Sequence, residues 1–119
     1  MTIEGLRALC LSLPGTTEKE TWGDAEHAGD VTFRVRDKIY VITGQTGGSA
    51  SIRTTVEQQA ELIDTFPAAF RSAPYVGRFG WVVADLEVAD DALLASIIES
   101  AWRRTAPKAV VRAREEGRA

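Results

Sequence analysis

The sequence predicts an α+β fold: a two-layer domain with an antiparallel sheet and helices on one face. The predicted order is helix, three or four strands, helix, two strands, helix. Three observations carry this. Apolar residues recur at helical spacing at both ends of the chain. Residues 31–53 carry three short β-type runs separated by compact turns. A brief apolar run, 81–86, follows a glycine-bearing turn at 74–80 and is too short for an ordinary helix.

Thr2 is placed to cap the first helix, with Glu4 in its first turn. Ile3, Leu6, Leu9, Cys10 and Leu13 form its apolar stripe, and Pro14-Gly15 ends it. Residues 16–22 read as a short edge strand and residues 23–30 as a loop containing His27. Residues 31–36 alternate: Val31, Phe33 and Val35 point one way, Thr32, Arg34 and Arg36 the other. A turn at Asp37-Lys38 leads to a strand over 39–43. The GQTGG turn at 44–48 leads to a third strand over 49–53, with Ser51 and Arg53 opposite Ala50 and Ile52. GQTGG lacks the GK[ST] ending of a phosphate loop and precedes a strand, so it reads as a hairpin turn.

Thr54-x-x-Glu57 is a capping box for a helix over 55–65, with Val56, Ala60, Leu62 and Ile63 on its apolar face. Pro67 ends it, and residues 68–73 read as one more helical turn, with Phe66 and Phe70 sealing the core. Residues 80–86 read as a core-facing strand. The longest helix starts at Asp90, with Leu93, Leu94, Ile97, Ile98, Ala101 and Trp102 on its apolar face. Arg103 and Arg104 sit at its C-terminus, where the helix dipole favours cations. Pro107 breaks it before a short helix over 108–116 with Lys108, Arg112 and Arg114 exposed.

The length of 119 residues fits one domain over 1–119. No apolar run reaches the ~18 residues of a membrane span, and residues 1–10 lack the pattern of a secretion signal. Cys10 is the only cysteine, which excludes an internal disulfide and predicts a cytoplasmic protein. With His27 the only histidine, no metal site and no cofactor are expected. No nucleophile–base motif, paired-carboxylate signature or phosphate loop is present, so no catalytic residue and no enzymatic activity are expected.

The net charge of −3 argues against a protein held on nucleic acid by bulk charge. Its distribution is uneven. Residues 1–30 carry six carboxylates against Arg7 and Lys19, while residues 31–80 carry six basic residues against four acidic ones. A basic middle in an acidic chain is compatible with a local anion-binding face. By alternation Thr32, Arg34, Arg36 and Arg53 share one sheet side, joined by Lys38 at the hairpin tip and Arg78 between Gly77 and Gly80. Tyr40 or Trp22 is a candidate aromatic on that side. Guanidiniums bind phosphate in forks, and aromatics stack on bases, so Tyr75 and Trp81 are candidate stacking residues. The bland alternative pairs these cations with Glu18 or Glu20 on a neighbouring strand.

The opening MTIEGLRALCLSLPG, the lone Trp22 ahead of FRVRDKIYV, the capped helix after SIRTT, the APYVGRFGWVVADL segment and the closing IIESAWRRTAP together resemble the MmcQ/YjbR family. The resemblance runs through almost the whole chain. It implies an antiparallel α+β fold similar to type III secretion chaperones and to frataxin-like CyaY proteins. It also implies DNA binding through a double-wing sheet surface, and it transfers no catalytic residues. Two other readings stand beside DNA binding. One is a protein-interaction or homodimerisation module using an exposed strand edge. The other is a small-molecule or metal-binding domain using the acids Glu18, Glu20, Asp24, Glu26 and Asp30.

Overall fold

Helices α1 (Ile3–Ser12), α2 (Val56–Thr65), α3 (Asp91–Thr105) and α4 (Lys108–Glu115) accompany strands β1 (Thr16–Thr21), β2 (Asp30–Val35), β3 (Lys38–Thr43), β4 (Ser49–Arg53), β5 (Phe70–Ser72) and β6 (Trp81–Asp85). The computed structural model of the chain describes residues 1–23, 29–44, 47–74 and 76–117. Tyr75, Asp24, Glu26 and His27 therefore lie outside the described residues. The strands form one antiparallel sheet in the order β1-β2-β3-β4-β6-β5.

The helix starts follow their caps. Thr2, Thr55 and Asp90 each accept a backbone N–H three residues on, at 2.9–3.0 Å. Leu6, Cys10 and Leu13 of the first stripe are buried, and Leu94, Ile97, Ile98, Ala101 and Trp102 of α3 close the same core. Their partners on the sheet are Phe33, Val35, Val41, Ala50, Ile52, Val82 and Ala84. Alternation therefore gives the sheet a helix-covered face and an open face. No described helix is long and apolar enough to cross a membrane.

Five expectations need correction. The N-cap of α2 is Thr55 rather than Thr54, whose hydroxyl donates instead to the Gly80 carbonyl. The tight turn is Arg36-Asp37, not Asp37-Lys38: both residues have positive φ (51° and 65°), and Lys38 already belongs to β3. Two left-handed residues give the turn the twist that right-handed strands require. Residues 68–73 are not a helical turn. Ala69 and Phe70 hydrogen-bond back to the Phe66 carbonyl, and the chain then runs as β5 along the free edge of β6. Sheet pairing satisfies that edge better than a further turn would. Phe70 is buried, but Phe66 is 44% exposed and seals nothing.

The inner side of α2 also differs. Val56 and Ala60 are exposed, whereas Gln59 turns inward and its Nε2 donates to the carbonyls of Gly77 (2.8 Å) and Trp81 (2.6 Å). A polar side chain is stable there because it satisfies two carbonyl groups. Finally, Tyr40 is fully buried on the helix side, its hydroxyl within 2.7 Å of the Thr16 hydroxyl and 3.4 Å from the Cys10 carbonyl. The bulge between Phe33 and Arg34 lets Tyr40 and Val41 both be buried.

Burial pushes the Cys10 thiol from 9.0 up to about 12, and burial also raises Tyr40. The neutral thiol is the form the fold stabilises. Its contribution is complete below pH ~9, where the unfolded thiol is also neutral. It falls as pH rises from about 9 towards 12, by ~1.4 kcal/mol per pH unit, because only the unfolded chain ionises. Denaturation across this window should show that alkaline slope, with buried Tyr40 adding its own above pH ~10, and Cys10→Ala should remove the Cys10 share. An unchanged slope in Cys10→Ala refutes the assignment.

Candidate nucleic-acid interface

The open face is built by register. One cross-strand row spans all six strands: Lys19, Thr32, Ile42, Ser51, Val83 and Arg71. At ~4.8 Å per strand this row is about 24 Å wide. One step towards the β2–β3 hairpin, Thr17, Arg34 and Ile39 stand opposite one another, as do Arg53 and Trp81 on β4 and β6. Arg53 follows Ile52, the partner of Val41, so both groups lie at the same end of the sheet. The face thus carries four basic side chains, Lys19, Arg34, Arg53 and Arg71, among hydroxyls and apolar residues. Its two acids, Asp30 and Asp85, lie at the other end, where Asp30 pairs with Thr21 and Asp85 with Ser49.

Arg34 is held in place. Its Nε donates to Thr32 Oγ1 at 3.0 Å and its Nη2 donates to Thr21 Oγ1 at 3.2 Å. The Thr32 hydroxyl in turn donates to the Lys19 carbonyl at 3.0 Å. Neutral acceptors orient the guanidinium and leave its charge unmatched. The Arg53 carbonyl accepts a hydrogen bond from Arg104 at 3.0 Å. Burial lowers the Arg104 pKa, and the Arg53 charge lowers it further, so two cations meet here at the C-terminal end of α3. No ion pair involves Lys19, Arg34, Arg53 or Arg71 among the described residues.

The acids expected to neutralise this face do not reach it. Glu18 and Glu20 alternate with Lys19 and so lie on the helix side of β1. Arg7 grips Glu18 in a two-pronged fork, with Nε to Oε2 at 2.7 Å and Nη2 to Oε1 at 2.6 Å. That bond is the main cause of the lowered Glu18 pKa and the raised Arg7 pKa. Glu20 accepts the Gly29 N–H at 3.1 Å. Both carboxylates line a cavity of about 350 Å³ with Arg7, Val31 and Phe33. No cluster of three metal-ligating side chains forms among the described residues.

The remaining candidates separate. Arg36 and Lys38 are exposed at the hairpin tip, beside the Arg34 row but off the strand face that alternation assigned to Arg36. Arg78 lies in the 3₁₀ turn Gly77–Phe79, its guanidinium 4.7 Å from the Phe79 ring, and takes no place in the sheet. Trp81 is half-buried beside Arg53, and Trp22 is 68% exposed just after β1. Lys19 and Arg71 were missed. The TEKET alternation of β1 held the signal for Lys19, whereas Arg71 was hidden by the helical reading of its segment.

Strand β1 is an outer edge of the sheet. In an in-plane two-fold arrangement, residues directly opposite share a face. A register centred on Glu18 or Glu20 sets that carboxylate against its own copy. One centred on Lys19 opposes Lys19 to Lys19 and Glu18 to Glu20.

Comparison with known proteins agrees with this architecture. A family model described as YjbR matches residues 11–104. The crystal structure of Deinococcus radiodurans protein DR2400, which carries a DUF419 domain, superposes with a TM-score of 0.77 at 21% identity. The match covers 98% of this chain and 88% of that one. No curated protein matches the sequence.

Proposed function

We propose, for a chain that belongs to the YjbR family, that the open sheet face binds the phosphate backbone of DNA weakly and without catalysis. The observation that carries this reading is the separation of charge by strand alternation. Glu18 and Glu20 face the helices, so Lys19, Arg34, Arg53 and Arg71 face water without acid partners among the described residues. The Arg34 guanidinium, held by two hydroxyls, presents its remaining donors to phosphate in a fixed orientation. The net charge of −3 keeps the affinity low, because the rest of the surface repels the same phosphates.

Fluorescence anisotropy with a labelled duplex tests this. Three or four neutralised phosphates predict a fall in affinity of about 40- to 150-fold between 50 and 200 mM salt. Arg34→Ala with Arg53→Ala should weaken binding at least about tenfold and make the salt slope shallower by about two. Lack of binding at 50 mM salt, or binding that ignores either salt or the double substitution, refutes the proposal.

A further inference from the structure

A second surface lies between the end of α2 and the start of α3. Phe66, Pro67, Ala68, Val88 and Leu93 line a groove of about 370 Å³, with Phe70 at its base. The Phe66 ring stands edge-on to Phe70, with centroids 6.4 Å apart, and remains 44% exposed; Val88 is 55% exposed. Large apolar groups left open side by side mark contact surfaces more often than scattered ones do.

The two chain segments that wall most of the groove carry only acidic charged side chains. Residues 56–69 carry Glu57, Glu61 and Asp64, and residues 86–100 carry Glu87, Asp90, Asp91 and Glu99, with no lysine or arginine in either segment. Asp90 lines the groove, and Asp64 and Glu87 are the chain neighbours of its lining residues Thr65 and Val88. The Met1 ammonium pairs with Asp91 at 2.9 Å, leaving the exposed carboxylates Asp64 and Glu87 without an ion pair among the described residues. Arg71, the basic residue that follows the first segment, belongs to the open face.

We infer that this groove receives an apolar side chain of a partner protein whose neighbouring residues are lysine or arginine. The apolar walls bury the anchor and the carboxylate rim selects its flanks. This surface is separate from the basic sheet face, so its test stands apart from that of the DNA reading.

The probe is a fluorescein-labelled peptide, KKLFKK, with EELFEE and KKSSKK as controls. KKLFKK should bind at least tenfold more tightly than either control, and more weakly as salt rises. Val88→Lys, at an exposed position, should keep the melting temperature and lose at least tenfold in KKLFKK affinity. Arg34→Ala with Arg53→Ala should bind the peptide normally. In nuclear magnetic resonance titration the amides of Phe66, Val88 and Leu93 should shift while those of Arg34 and Arg53 stay still. No binding of KKLFKK overturns the inference, as does equal binding of either control or indifference to Val88→Lys. So does sedimentation in which the wild-type chain self-associates through this groove and Val88→Lys restores a monomer, since the occupant is then a second copy.

Discussion

Trp102→Ala is expected to cost about 4 kcal/mol, a large part of the 5–15 kcal/mol that holds a domain of this size together. Trp102 is fully buried and is the largest such side chain. Its loss removes the ring from the last turn of α3 and leaves a cavity that the surrounding helices and sheet cannot fill. It also removes a tie between distant parts of the chain: the indole Nε1–H donates to the Pro14 carbonyl at 2.9 Å, fixing α3 to the end of α1. The lost hydrogen bond is the smaller term, because Pro14 is only half-buried and water can reach its carbonyl. Trp102→Phe separates the two, keeping most of the volume and losing the donor, at about 1–2 kcal/mol. Urea denaturation measures both. A cost below ~1.5 kcal/mol for Trp102→Ala means that the core is not organised around this ring.

Gly80→Ala is expected to cost about 3 kcal/mol and to lower the melting temperature by roughly 10 °C. Gly80 has φ 96°, a conformation that side chains resist. A Cβ there would collide with the Thr54 carbonyl oxygen and the Thr55 carbonyl carbon, both backbone atoms. Neither can retreat easily. The Thr54 N–H donates to the Gly80 carbonyl at 3.1 Å, the Thr54 hydroxyl donates to the same oxygen, and Thr55 caps α2. Gly47 provides the comparison. Its φ is 100°, but nothing lies within 4 Å of an added Cβ, so Gly47→Ala should cost only about 1 kcal/mol. Equal melting temperatures for the two variants would show that the close approach at Gly80 is not tight. Because Gly80 precedes Trp81, the partner of Arg53, the Gly80 substitution should also weaken DNA binding.

The elements with strong periodicity or a cap were legible from residues alone. The α1 and α3 stripes, the Thr2 cap, the start of α3 at Asp90 and the alternation of β2 and β4 came out as read, whereas the α2 cap moved by one residue from Thr54 to Thr55. Arg34 and Arg53 were placed on a common face for that reason, since strand alternation is a local property. What failed was whatever a neighbour decides. β5 became a strand because β6 offered it an edge, and Gln59 turned inward because two distant carbonyls needed donors. Arg36 was assigned to the strand because the alternating pattern continues through it, while hairpin twist had claimed it for the turn.

The same division runs through the candidate site. By itself the order of residues determined an α+β domain, a basic middle segment and the sidedness of β2 and β4, because periodicity and capping act over a few residues. Only the tertiary structure decided which strands are neighbours. That choice put Arg53 beside Trp81, Arg71 on the basic face, and Glu18 in the grip of Arg7 on the opposite side. Pairing across the sheet links residues far apart in the chain, and the charge left over on a surface depends on those links.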